Sequence, residues 1–221
     1  MRFTKLTLRT SAMEQMIDFY RSVLELPVRE EDDSGFSVQI GSTLVHFQRV
    51  AGNGNPFYHF AINIPENRWS EAKQWAKARV SLNKEQDDDE VFFVDWNAHA
   101  FYFEDPAGNI VELIARHNLD NAVHHPFSSG DLLEVSEIGI VAEEVIPLVR
   151  RLNELGIPNW RGDSDGLTPV GVENGLLIVV KQGRRWFFAD QAAEFYPVEA
   201  EVEGLGRLSF EARGSITLAQ E

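Results

Sequence analysis

Polar and apolar residues alternate at the start of the chain. Phe3, Lys5, Thr7 and Arg9 share one face and Thr4, Leu6 and Leu8 the other, which is the two-residue period of a strand. Thr10-Ser11 then supplies an N-cap, and Met13, Met16, Ile17, Tyr20, Val23 and Leu24 recur at helical spacing until Pro27. Strands are predicted over 36–40 and 43–50, joined by a tight turn at Gly41-Ser42, with a loop over 51–56. The order then repeats. A strand over 58–64 precedes a helix over 70–78, whose buried stripe is Trp69, Ala72, Trp75 and Ala76. A hairpin follows, with strands 101–104 and 110–115 around Asp105-Pro106-Ala107-Gly108-Asn109. A third copy has a strand over 135–141, a helix over 144–155 capped by Gly156, and strands over 167–172 and 176–181 joined at Glu173-Asn174-Gly175. Beyond Trp186 two strands, 197–203 and 207–211, flank Gly204 without a fourth helix.

The repeat is the most informative pattern. Each unit reads β-α-β-β-β over roughly 55–65 residues. One such unit covers a single sheet face with its helix, so it needs a neighbour to close a core. The expected class is α+β, with repeated βαβββ modules whose curved sheets surround an open cleft. The expected organisation is a two-module domain over 1–118, a linker over 119–131, and a third module plus a degenerate fourth over 132–221.

Composition narrows the function. A hydrophobic share of 43% with 11% aromatic residues supports a packed core. A net charge of −15 argues against nucleic-acid and anionic-membrane partners. No apolar run approaches the ~20 residues of a spanning helix, and Met1 to Thr7 lacks the apolar stretch of a secretion signal, so a cytoplasmic location is expected. With no cysteine, a metal site must use His, Asp or Glu.

Polar residues on apolar strands are the candidates for chemistry. His46 shares a strand face with Leu44 and Gln48, His59 with Ala61 and Asn63, and Glu112 with Ile110 and Ile114. Lys5 holds the place in the first unit that His59 holds in the second, and His46 corresponds to Glu112. If the two units pair, all four converge. His46, His59 and Glu112 then suit a divalent ion such as Fe, Mn, Ni or Zn. Lys5 would steady an anion, and His99 would serve as a cleft acid or base. The competing reading is an ion pair between Lys5 and Glu112 in a site without metal. His124-His125 belongs to the linker, and the acidic runs 30–33 and 87–90 lack calcium-loop spacing.

Four segments carry a resemblance: Leu6-Thr7-Leu8-Arg9; 18–26, which reads DFYRSVLEL; His59-Phe60-Ala61-Ile62; and 103–114, where the Asp-Pro-Ala-Gly-Asn turn leads into Glu112. These resemble the vicinal-oxygen-chelate superfamily, which includes glyoxalase I, extradiol dioxygenases and bleomycin- and fosfomycin-resistance proteins. The resemblance covers 1–117 well and 135–181 more weakly. It implies metal ligands on the first and last strands of a module. His59 and Glu112 match such positions, His46 falls where some members carry Glu, and Lys5 falls where many carry His. In the third copy the corresponding positions are read as Glu137 and Val179, and Val179 cannot ligate. The expected function is a glyoxalase- or extradiol-dioxygenase-like enzyme that binds a small substrate through vicinal oxygens on a metal in the N-terminal cleft. The alternatives are a metal-free protein that sequesters an aromatic ligand, or an inactive relic. A homodimer is compatible with such cleft domains.

Overall fold

The N-terminal alternation forms β1 (Phe3–Thr10), and the first unit continues through α1 (Met13–Asp18), β2 (Val28–Asp32), β3 (Gly35–Ile40) and β4 (Thr43–Arg49). The second unit comprises β5 (His59–Ile64), α2 (Trp69–Lys77), β6 (Val91–Phe93), β7 (Ala98–Glu104) and β8 (Ile110–Arg116). The third has β9 (Glu134–Ala142), α3 (Val145–Glu154), β10 (Leu167–Val172) and β11 (Gly175–Lys181). The chain ends in β12 (Val198–Val202), β13 (Gly206–Phe210) and β14 (Thr217–Ala219). This computed structural model describes residues 1–50, 54–212 and 214–219, so 51–53 of the expected loop lie outside the described residues. Among the described residues, no helix is long and apolar enough to cross a membrane.

Local departures from the expected elements have physical causes. The first helix stops at Asp18 and continues to Val23 as a wider π-turn, with Ala12 rather than Ser11 at its N-cap. The Thr10 hydroxyl still accepts the Ala12 N–H at 3.1 Å. β2 and β6 carry no alternation: β2 reads VREED and is largely exposed, and β6 is three residues long. Both sit at sheet edges, where charge and shortness guard against further pairing.

Two seven-stranded sheets form, in the orders β14-β13-β12-β1-β4-β3-β2 and β10-β11-β9-β5-β8-β7-β6. Within each unit the first and last strands run parallel: β1 with β4, β5 with β8, β9 with β11. Between units the first strands meet antiparallel, β5 with β9 and β1 with β12. The expected pairing of the first and second units therefore does not occur. The second unit shares its sheet with the third, and the first with the C-terminal hairpins. Each first strand would otherwise expose an unpaired edge.

One core fills the space between the sheets and the three helices, taking Leu6, Leu8 and Phe47 from the first sheet and Phe60, Phe101 and Leu113 from the second. The other face of the first sheet is polar and part-exposed, with Lys5, Thr7 and Arg9 on β1. The other face of the second sheet is buried. A strap over 183–193 lays Trp186, Phe188 and Ala193 across Ala61, Tyr102 and Ile178.

The sheets are joined at the β3–β4 turn. Ser42 N–H donates to the Leu133 carbonyl at 2.9 Å, and the Thr43 hydroxyl donates to Phe3 O at 2.9 Å while accepting Val135 N–H at 3.1 Å. Gly41 has φ +52°, and a Cβ there would lie 1.8 Å from Leu133 O. Backbone cannot rotate away from such an overlap. Gly41→Ala is expected to destabilise the fold by at least about 2 kcal/mol, read as a fall in melting temperature. An unchanged melting temperature would show that this crossing is dispensable.

Candidate metal centre

The register of three strands builds the site. Ala61 on β5 lies opposite Glu112 on β8 and opposite Glu137 on β9. Its methyl side chain leaves the space between the two carboxylates open. His59, two residues earlier on β5, shares that face. His59, Glu112 and Glu137 each bring one donor atom within 4.8 Å of the other two, and all three are buried. They form the single such group among the described residues.

The Asp-Pro-Ala-Gly-Asn turn fixes where β8 meets β5. Asp105 Oδ1 accepts the N–H groups of Ala107 and Asn109, each at 3.0 Å. Its Oδ2 accepts Asn109 Nδ2 at 2.7 Å and the Tyr20 hydroxyl at 2.8 Å. Asn109 Oδ1 in turn takes Tyr58 N–H at 2.8 Å, immediately before His59. The most specific motif in the sequence thus sets the alignment of two site residues.

His59 Nδ1 lies 3.1 Å from the Ile110 carbonyl. The neutral ring donates there, and the Nε2 lone pair points toward Glu112 Oε2 at 3.6 Å. The ring packs on Trp186 with centroids 5.0 Å apart. Gly139 makes that packing possible, since a Cβ there would come within 2.6 Å of the indole. Glu137 pairs with the fully buried Arg116, whose Nε donates to Asn63 Oδ1 at 3.1 Å. The Arg116 guanidinium lies 5.2 Å from the Trp96 ring centre.

Burial disfavours every charge here. It pushes His59 down to about 4. It raises Glu112 well above the usual carboxylate range, helped by the charge of Glu137 and opposed by Arg116 and Tyr102. Burial also raises Glu137, against the pull of Arg116. Glu137 has the guanidinium as its direct partner, so of the two carboxyls Glu112 is the one pushed further toward its neutral form. Burial thus favours the neutral forms of His59 and Glu112 over an ion pair between them. The three residues open into a cavity of about 230 Å³ walled by Phe93, Trp96, Tyr102, Ile178, Trp186 and Phe187.

His59 and Glu112 thus come together as expected, but His46 and Lys5 do not join them. Both lie on the part-exposed face of the first sheet. There His46 Nδ1 is 3.0 Å from the Ser37 hydroxyl, which donates to Glu30 at 2.8 Å. The Lys5–Glu112 ion pair does not form, because the two residues belong to different sheets. His99 has the opposite strand parity to Tyr102. It stacks under Trp69 of α2 at 4.4 Å and contacts His117 at 2.7 Å, away from the cavity. In the third unit, Glu137 pairs with Leu176 on β11. By the spacing that relates His59, Ile110 and Glu112, the fourth ligand position is Ile178 rather than Val179. Glu137 was legible as the counterpart of His59, but its partners lie in the second unit rather than its own. Arg116 was missed, although a charged residue on the face of Glu112, four positions on in an apolar strand, is the signal for it.

Residues 5–114 match the glyoxalase-like domain family. No curated protein sequence matches the chain. Among solved structures, a candidate dioxygenase from Bacillus subtilis aligns with a TM-score of 0.58 at 14% identity, over 81% of this chain and 63% of that one. Glyoxalase I from Zea mays aligns with a TM-score of 0.53 at 15% identity, over 81% of this chain and 66% of that one. The chain thus spans less than two thirds of the length of either, and at these identities the likeness speaks for the fold alone. The family match, the repeated units and the two curled sheets agree: residues 5–114 form a glyoxalase-like domain of the vicinal-oxygen-chelate superfamily, and the chain has that fold.

Proposed function

We propose that the cup between the second and third units holds a divalent metal ion on His59, Glu112 and Glu137, and that a small molecule binds there through two adjacent oxygens. One observation carries this reading: three buried donors converge within 4.8 Å, and the histidine's free lone pair is directed by a backbone carbonyl on its other nitrogen. The donor set fits a hard or borderline ion such as Fe, Mn, Ni or Zn. When bound, such an ion supplies Lewis-acid polarisation of substrate oxygens or, in the iron case, access to dioxygen chemistry. In this reading the protein is a metal-dependent lyase or ring-cleaving dioxygenase.

The chain's own residues prepare the site. Arg116 and Asn63 hold Glu137 in place. Ionised Glu112 and Glu137 with cationic Arg116 sum to −1, so a divalent ion brings the pocket to +1, a charge suited to anionic oxygens. Ile178 occupies the fourth strand position without offering a donor, which leaves coordination to the substrate. Trp186 and Phe188, buried over the sheet, exclude bulk water and strengthen electrostatic interactions inside. A metal-free ligand protein is the second reading. It is favoured by the Arg116 cation that already compensates one carboxylate.

Protein purified without chelator or a histidine tag is expected to carry about one equivalent of a transition metal by elemental analysis. Glu112→Gln should lose it and His46→Ala should keep it. No metal, and none taken up on titration, overturns the metal reading in favour of the second one. A separate expectation concerns acid. Unfolded His59 titrates near 6.5 and folded His59 at about 4. Between these values the unfolded chain takes a proton that the folded chain refuses. The stability from neutral His59 is therefore complete above about pH 6.5 and lost as pH falls toward 4, about 3 kcal/mol in all. Melting curves of chelator-treated protein across that window should fall steeply for the wild type and more gently for His59→Gln. Parallel curves would show that His59 is protonated in the fold.

A further inference from the structure

We propose that the cavity takes a single-ring aromatic ligand bearing an anionic group, and that Arg184 at the mouth recognises that group. The orientation rests on the reading that the ligand's oxygen pair meets His59, Glu112 and Glu137. A cavity of about 150 Å³ accepts benzene, so about 230 Å³ admits one substituted ring but not two. The walls include Phe93, Trp96, Tyr102, Trp186 and Phe187, faces against which a planar ring packs well.

Four arginines lie around the cup. Arg116 pairs with Glu137 and Arg185 with Glu85. Arg161 stacks on Trp160 and donates to the Asp95 carbonyl. Arg184 alone both lines the cavity and lacks such an engagement. Among the described residues, its side chain makes only a long 3.4 Å contact to the Arg185 carbonyl, in the open. Its backbone is nevertheless fixed. Arg184 O accepts Ala193 N–H at 2.8 Å, Gly183 N–H donates to Ala193 O at 2.8 Å, and Asn83 Nδ2 holds Phe188 O at 2.8 Å. A pinned main chain thus presents a free guanidinium over an aromatic chamber.

The floor fixes the polarity. With the ion bound, the ligand's own oxygen pair takes up the +1 of the floor, so no positive charge is left there for a second anion, and the whole chain carries −15. An anionic substituent is therefore favoured only at the mouth, beside Arg184, where the planar fork can bind a carboxylate with two hydrogen bonds.

The test compares 3,4-dihydroxybenzoate with catechol by calorimetric titration of the metal-supplemented protein, Arg184→Gln and Glu112→Gln. Arg184 is exposed, so its variant should melt as the wild type does. The wild type is expected to bind the acid about tenfold more tightly than catechol. Arg184→Gln should erase that preference and leave catechol affinity unchanged, and Glu112→Gln should weaken both. Equal affinities in the wild type, or equal loss of both ligands in Arg184→Gln, overturns the inference. Binding of neither ligand to protein that holds metal overturns it while sparing the metal reading. An Arg184-dependent preference for the acid in metal-free protein, unaffected by Glu112→Gln, upholds the anion site and instead overturns chelation at the floor.

Discussion

Two carboxylates on one face of a buried sheet, with one guanidinium between them and neutrality, are the constraint on which this molecule turns. Glu112 and Glu137 flank Ala61 on adjacent strands, and both are buried. Arg116 offsets one of them. The other must hold a proton, meet a cation or remain a costly buried charge. The surrounding sequence is arranged around that problem. Ala61 gives the carboxylates room, Asn63 steers Arg116, and the Asp105–Asn109 turn locks the register that brings Glu112 level with β5. An apolar residue in place of Glu112 would pack more cheaply, so the carboxylate points to use rather than to stability.

The same lattice occurs twice and is filled differently. In the second sheet Ala61 faces Glu112 and Glu137. In the first sheet Thr7 faces His46 and Glu199, with Lys5 at the place of His59. One cup is roofed by a strap and lined with aromatics. The other keeps a polar, part-exposed face. The difference follows from what covers each sheet. The segment after β11 folds back over the second sheet, whereas the C-terminal hairpins extend the first sheet sideways. Only the roofed cup removes its polar residues from water, and only there do their charges become strongly interacting.

Much of the fold was legible because it rests on local periodicity. Three strand–helix units, the Asp105–Asn109 turn and the strand face shared by Ile110, Glu112 and Ile114 all follow from residue spacing. The second-unit ligands were legible for the same reason, since His59 and Glu112 sit two residues apart in the register of a parallel pair. Which unit pairs with which was not legible. β1 and β5 both offer an open edge, and alternation along a strand says nothing about the strand beyond that edge. That ambiguity placed Lys5 and His46 in the site and left Glu137 outside it. Strand parity misled less: Tyr102 faces the cavity, while His99, three residues away, faces Trp69. The strap was illegible because its order comes from aromatic insertion and long-range backbone bonds, neither of which has a period.

That strap also changes what the cup can do. Trp186 reaches His59 only because residue 139 is glycine, and Phe188 stacks on Tyr102 at 4.9 Å, with φ +53° at its own backbone. A phenylalanine held in the left-handed region costs about 1–2 kcal/mol, which the packing of its ring over the sheet must offset. The strap therefore contributes less to net stability than its buried area suggests, and more to the dryness of the floor. Its outer edge is different in kind: Phe187 is 41% exposed and Arg184 is solvated beside it. A dry floor raises the energetic consequence of charge at His59, Glu112 and Glu137, and the wet lip beside Arg184 gives access to it. The fold thus supplies the acids and the family's module, while the 183–193 segment supplies the polarity of the site.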